Sequence, residues 1–138
     1  MSTIRRHAAV PLLLLGTVIL GLALPARADP REISVGGVWI TLLDHDVAGY
    51  TSFQRAIEVR RRITEVLSIP GFRQGAVIAV KQVGLEAVVT VGDVLVFTVT
   101  PDDAAGTWMT PLEVARQWAR LLALGLTRAF PDADFHTF

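Results

Sequence analysis

Side chains that could perform chemistry are few, and most of them lie in short acidic segments. Asp44-His45-Asp46 offers two carboxylates and an imidazole, and Asp132, Asp134 and His136 offer the same set at alternate positions. Oxygen and nitrogen ligands of this kind bind divalent metals, but neither spacing matches a standard metal motif. We therefore interpret both segments as polar surface, one a loop and the other a terminal tail, and we expect no metal site and no cofactor.

Catalytic constellations are also scarce. The chain has no Cys, which excludes a thiol nucleophile and any zinc site with a Cys ligand. No nucleophile-elbow motif surrounds a serine, and Ser52 is typical of a helix start. Asp102-Asp103 could form a two-carboxylate pair, but neighbouring acids in a turn are usually solvated caps. The sequence thus predicts a non-enzymatic protein with no catalytic residue, and a small hydrolase is the least favoured alternative.

Length and charge limit the class of protein and of partner. The chain has 138 residues, of which 51% are hydrophobic and 19% charged, which is enough for one globular domain and excludes a disordered chain. Residues 1–28 contain three arginines and no acid, so the remaining chain carries a net charge of about −3. Because nucleic acids and anionic lipids require a clustered basic surface, we expect no nucleic-acid partner.

The N-terminus has the pattern of an export signal. Arg5-Arg6 precedes an apolar run over 8–25, and Ala26-Arg27-Ala28 places small residues where a signal peptidase reads them. We predict a signal peptide at 1–28 and a single exported domain at 29–138, in the periplasm or outside the cell, with no membrane segment after cleavage. Retention of the run as an anchor, and twin-arginine rather than general export, remain open alternatives.

Turn and cap signals divide the mature chain into elements. Gly36-Gly37 between apolar runs predicts a hairpin, and Thr51 with Gln54 predicts a capped helix that Pro70-Gly71 ends. Three valine-rich strands are predicted at 76–83, 87–91 and 94–100, the last two joined at Gly92-Asp93. Thr110-Pro111-Leu112-Glu113 predicts the start of a second helix that runs to about Phe130. One helical turn is expected at Asp102-Asp103.

The order hairpin, helix, three strands, helix predicts an α+β fold. We expect a two-layer sandwich with one mostly antiparallel sheet of four to five strands and two long helices on one face. Strand alternation would direct Val94, Val96 and Thr98 away from the helices. It would similarly place Trp39 and Thr41 on the outer face, opposite to Ile40 and Leu42. That outer face is not clearly polar.

The first helix combines an apolar stripe with several arginines. Its predicted buried residues are Phe53, Ala56, Ile57, Ile63 and Leu67. Arg60 falls near the middle of this stripe, where it would extend to the helix edge or pair with an acid such as Asp93 or Glu86. Arg61 and Arg62 are interpreted as a solvated face.

The second helix has a wider apolar band than one buried stripe requires. Its core residues are predicted to be Leu112, Ala115, Ala119, Leu122, Leu126 and Phe130, and Val114, Trp118, Leu121 and Gly125 extend the band to one side. Two interpretations stay open. The flank is buried between the sheet and the first helix, or it is an interaction surface anchored by Trp118, together with Val114, Leu121 and Trp39.

Several short motifs resemble the small extracytoplasmic domain that precedes the pore in some bacterial MscS-type mechanosensitive channel proteins, and related envelope proteins. The similar residues are Arg55-Ala56, Arg62-Ile63, Val91-Gly92-Asp93, Thr98 to Ala104, and Thr110 to Glu113 with Ala115, Trp118 and Ala119. The likeness covers roughly 38–130, and we expect no pore helices after Phe130. The resemblance implies a non-catalytic sensing or interaction module, possessing no catalytic residues, that acts on a separate membrane protein.

The favoured function is therefore a non-catalytic periplasmic interaction or sensing domain with a protein partner or self-association. The alternative is a periplasmic protein that binds a small ligand or a metal through the Asp44–Tyr50 loop, together with Asp102 and Asp103.

Overall fold

The computed structural model describes residues 27–133 and 135–137. The predicted signal peptide therefore lies outside the described residues, apart from Arg27 and Ala28. Among the helices that are described, none has the length and hydropathy needed to cross a membrane.

The first two strands form a hairpin of their own. Strand β1 (Glu32–Val35) pairs antiparallel with β2 (Val38–Leu42) through the predicted Gly36-Gly37 turn. Both turn glycines have positive φ, at 54° and 75°, which matches the twist that two-residue hairpins prefer. Ile33 and Ile40 are buried, whereas Trp39 pairs with Ser34 on the exposed face. The expectation that Thr41 lies on the outer face is wrong: Thr41 is 6% exposed, because the register shifts between Ile33 and Ser34 and interrupts strict alternation.

Helix α1 (Ser52–Ser68) starts at the predicted cap. The Thr51 hydroxyl accepts from the Gln54 backbone N–H, and the Gln54 side chain accepts from the Thr51 N–H, so the capping box is confirmed. The buried face, however, consists of Ala56, Val59, Ile63 and Val66. The predicted burial of Phe53, Ile57 and Leu67 is wrong, because α1 packs against β1 and β5 on a face rotated away from them.

Arg60 is exposed and pairs with neither predicted acid. One of its terminal nitrogens donates to the backbone carbonyls of Pro30 and Glu32. The side chain thus ties the exposed flank of α1 to the start of β1.

The larger sheet contains the three predicted strands and a fourth short one. Strands β3 (Ala76–Val83), β4 (Glu86–Val91) and β5 (Val94–Val99) are antiparallel neighbours. Strand β6 (Phe135–Thr137) adds to the edge beside β3 in parallel, so the sheet order is β5-β4-β3-β6. The C-terminal tail is therefore part of the fold.

A register shift in the β4–β5 pair changes which residues enter the core. The shift falls between Val89 and Thr90, where Val89 pairs with Phe97 and Thr90 pairs with Leu95. Val96 is the extra residue, and both Val96 and Phe97 are fully buried. The expectation that Val96 points away from the helices is wrong, because a β-bulge interrupts strict alternation.

Two further helices follow β5. Helix α2 (Pro101–Ala104) is the predicted single turn, and α3 (Pro111–Ala129) begins at the predicted Thr110–Glu113 capping box. Helix α3 contacts strands of both sheets, from β1 to β6. Its wide apolar band is therefore explained by contact with two sheets rather than one.

The class α+β is confirmed, but the single sheet is not. The hairpin strands form a separate sheet that packs on α3. Its turn comes so close to the helix that a Cβ on Gly125 would lie 2.5 Å from the Val35 carbonyl oxygen. A Cβ on Gly36 would lie 2.1 Å from the Gly125 carbonyl oxygen, so both glycines are needed for this contact.

Aromatic rings close the core at two places. Phe97 meets Trp118 edge-on at a centroid distance of 5.3 Å. Phe72 packs against Phe130 at 5.8 Å and against Phe135 of β6 at 4.9 Å. The second cluster explains why the tail is held against the domain.

Candidate functional site

The predicted interaction surface is only partly at the surface. Trp118 and Val114 are 6% and 3% exposed, and Leu121 is half-buried. The prediction is wrong for Trp118 and Val114, because α3 is covered by both sheets and Trp118 packs on Phe97. Trp39 alone is clearly exposed, at 55%.

A buried ion pair joins α1 to α2. The Arg55 guanidinium donates from Nη1 to Asp103 Oδ1 at 2.9 Å and from Nη2 to Asp103 Oδ2 at 2.8 Å. It also donates to the carbonyls of His45 and Thr98, and its side chain is only 11% exposed. Two parallel charge-assisted bonds are the strongest arrangement for these groups. Arg55 therefore links the Asp44–Tyr50 loop, β5 and α2 from a buried position. We call this contact the Arg55–Asp103 bracket.

Asp103 has partners in addition to Arg55. Its carboxylate accepts from the backbone N–H and the hydroxyl of Thr100, and its side chain is 3% exposed. Asp102, by contrast, is exposed. The two neighbouring acids thus have separate environments, and Asp103 has a structural partner.

A second charge network lies one turn further along α1. Glu58 accepts from Arg61 at 2.8 and 2.9 Å and from Arg62 Nε at 2.9 Å. These bonds, those from Arg61 first, lower the pKa of Glu58 to about 2. The same contact raises the pKa of Arg61. Glu58 therefore stays ionised over the whole range in which the protein would work.

Between this helix flank and the edge of the larger sheet lies a cleft of about 200 Å³. Its walls are supplied by Val47, Ala48 and Tyr50 of the loop before α1, by the Arg55, Glu58 and Arg62 side chains, and by Glu86, Thr98 and Thr100 of the sheet. Three separate segments of the chain therefore build it. Of these residues, sequence reasoning suggested only those of the loop as ligand contacts and interpreted Arg62 as solvated surface. Asp102 and Asp103, which it also suggested, do not line the cleft.

The loop wall of the cleft is held in a defined shape. Val47 and Tyr50 exchange two backbone hydrogen bonds of 2.9 Å. The two residues between them, Ala48 and Gly49, have φ of 50° and 82°. Positive φ at Ala48 is uncommon for a residue with a Cβ, so the turn is constrained by its neighbours. It places the exposed Tyr50 side chain in the lining of the cleft.

Asp44 and Asp46 of the first acidic segment each have a local partner. Asp46 accepts the Ser52 backbone N–H at 2.7 Å, and Asp44 lies 3.2 Å from His45 Nε2. Among the residues described, no three His, Cys, Asp or Glu side chains gather closely enough to hold a metal ion. Asp134 and the His136 side chain lie outside the described part, so the second segment is not assessed.

A family model for a domain of unknown function, DUF8459, matches residues 32–129. The chain belongs to the DUF8459 family. The DUF8459 match runs from β1 to the end of α3 and includes every residue of the cleft, whereas β6 lies beyond it. No curated protein and no solved structure matches the chain.

Proposed function

We propose that this DUF8459 chain is an exported, non-catalytic interaction domain that docks a separate protein of the cell envelope through Trp39. The carrying observation is the exposure of this tryptophan on an ordered strand. Val38 and Ile40 beside it are 6% and 2% exposed, while Trp39 is 55% exposed. Large aromatic side chains that project from a rigid element are typical anchors of protein interfaces.

The surroundings of Trp39 support this role. Leu42, half-buried, lies on the same outer face of the hairpin, opposite Glu32, and Ser34 lies directly opposite Trp39. This face thus combines apolar side chains with neighbouring polar ones, as protein interfaces do with their apolar core and polar rim. The similarity to the domain preceding MscS-type pores supports a membrane protein as partner, and self-association is the competing outcome.

The test is site-specific photo-crosslinking in the native envelope with the probe at position 39, followed by mass spectrometry. The matched control carries the probe at Trp108, which is fully exposed in the segment before α3. We expect a discrete adduct with a membrane protein from position 39 and none from position 108. A self-adduct would overturn the envelope protein as partner and would show that a second copy of this chain binds at Trp39. No adduct from a folded, exported protein, or equal adducts from both positions, would overturn the proposal.

A further inference from the structure

Among the described residues that line the cleft, one cation has hydrogen-bond donors without a partner. Arg62 donates a hydrogen bond from its Nε to Glu58 at 2.9 Å. Its two terminal nitrogens have no hydrogen-bond partner among the described residues. The side chain is only 25% exposed, so these donors are held inside the cleft rather than free in solvent. A guanidinium with both terminal nitrogens available matches the two oxygens of a carboxylate.

The wall of the cleft that the sheet forms contains an anion, Glu86, that also has no side-chain partner among the described residues. Glu86, the first residue of β4, is half-buried and lines the same cleft. Within the described part of the chain, its carboxylate has no ion pair and no side-chain hydrogen bond, and it does not come within 4 Å of the Arg62 guanidinium. The cleft therefore separates two opposite charges.

The remaining charges at the cleft already have partners. Arg55 is held by Asp103 and two backbone carbonyls, and Glu58 is held by Arg61 and Arg62. Among the described residues, a ligand in the cleft would thus meet one guanidinium with two available terminal nitrogens and one carboxylate without an ion pair. A simple anion or a simple cation would satisfy only half of the site.

We propose that the cleft binds a small zwitterion of the amino-acid class, with its carboxylate on Arg62 and its ammonium group on Glu86. The cleft volume of about 200 Å³ is below that of sites for drug-sized molecules, which agrees with a ligand of this size. Ala48, Val47 and the Tyr50 ring provide an apolar wall for the ligand side chain. The inference does not depend on docking through Trp39.

The test is isothermal titration of the purified mature protein with the twenty standard L-amino acids and with alanyl-alanine. Acetate, propionate and ethylamine serve as probes that carry one charge. We expect saturable binding of at least one zwitterion, and binding weaker by about tenfold or more for the single-charge probes. The variants Arg62→Gln and Glu86→Gln should each weaken that binding by about tenfold or more.

Arg61→Gln is the matched control, because Arg61 also pairs with Glu58 but does not line the cleft. It should bind the zwitterion as the wild type does. Arg62→Lys tests the geometry, since it keeps the charge but loses the two-pronged donor, and it should bind less tightly. The thermal melting temperature of every variant verifies folding. No zwitterion bound by the folded wild type, or binding unchanged in both Arg62→Gln and Glu86→Gln, would overturn the proposal.

Discussion

Arg55 and Asp103 lie 48 positions apart in the chain and meet through two parallel hydrogen bonds of 2.8 and 2.9 Å in a nearly solvent-free contact. Both residues belong to the motifs that resemble the channel-associated domain. In this structure their contact joins the first turn of α1 to α2 and holds the carbonyls of His45 and Thr98. Those motifs therefore describe, at least at these two positions, a structural bracket beside the cleft.

Removal of one partner of the Arg55–Asp103 ion pair should lower the free energy of unfolding. Asp103→Asn leaves the Arg55 charge buried without its counter-ion, and we expect the free energy of unfolding to fall by about 3–5 kcal/mol. The exposed neighbour provides the control, since Asp102→Asn should change it by less than about 0.5 kcal/mol. Urea unfolding followed by circular dichroism measures both. Equal stability of the two variants would show that the bracket contributes nothing.

The hairpin contact on α3 should be intolerant of a single methyl group. Gly125→Ala gains helix propensity of about 1 kcal/mol but places its Cβ 2.5 Å from the Val35 carbonyl oxygen. Overpacking against backbone costs about 1–3 kcal/mol, so we expect a net loss of stability. Thr127→Ala, on the exposed side of the same helix, should gain up to about 0.7 kcal/mol from helix propensity in the same chemical denaturation experiment, with no loss from packing. A more stable Gly125→Ala variant would contradict the close approach.

The two tryptophans should respond in opposite ways. Trp118→Ala removes a buried ring packed on Phe97, and we expect a loss of about 3–5 kcal/mol in the free energy of unfolding. Trp39→Ala should alter that free energy by less than about 0.5 kcal/mol, because its side chain is largely in solvent. Denaturant titration of both proteins provides the comparison. A Trp118→Ala protein of wild-type stability would contradict the burial of Trp118 and would make it a candidate anchor of an interaction surface again.

The Glu58 network predicts a pH dependence with a definite sign. Its pKa in the folded protein is about 2, below the ordinary value of 4.5. The stabilisation is therefore fully present above pH 4.5 and declines as the pH falls toward 2. Glu58→Gln should lower the free energy of unfolding by about 0.5–1 kcal/mol at pH 7, as for partly exposed ion pairs.

That difference between Glu58→Gln and the wild type should shrink between pH 4.5 and pH 2. Thermal unfolding at a series of pH values measures it, with the exposed Glu65→Gln as control for the weaker contact to Arg61. A difference that stayed constant down to pH 2 would exclude the ionised carboxylate as its source.

The cleft was only partly predictable. The loop from Asp44 to Tyr50 stood out as polar, but Arg62 and Glu86 looked like ordinary surface residues. Arg62 follows Tyr50 by 12 positions in the chain, and Glu86 follows Arg62 by 24. Nothing local marks them as neighbours, because the cleft exists only once α1 lies along the edge strand.

The sequence by itself determined the strands and α-helices from β1 to α3, their order and most of their ends, whereas β6 was not predicted. Thr51, Thr110 and the Gly36-Gly37 turn act through hydrogen bonds and dihedral angles within a few residues, so their effect is readable locally. The tertiary structure alone decided that β1 and β2 leave the main sheet, that Val96 turns inward at a bulge, and that Trp118 is covered. These outcomes depend on which surfaces pack together, and several packings satisfy the same local apolar pattern.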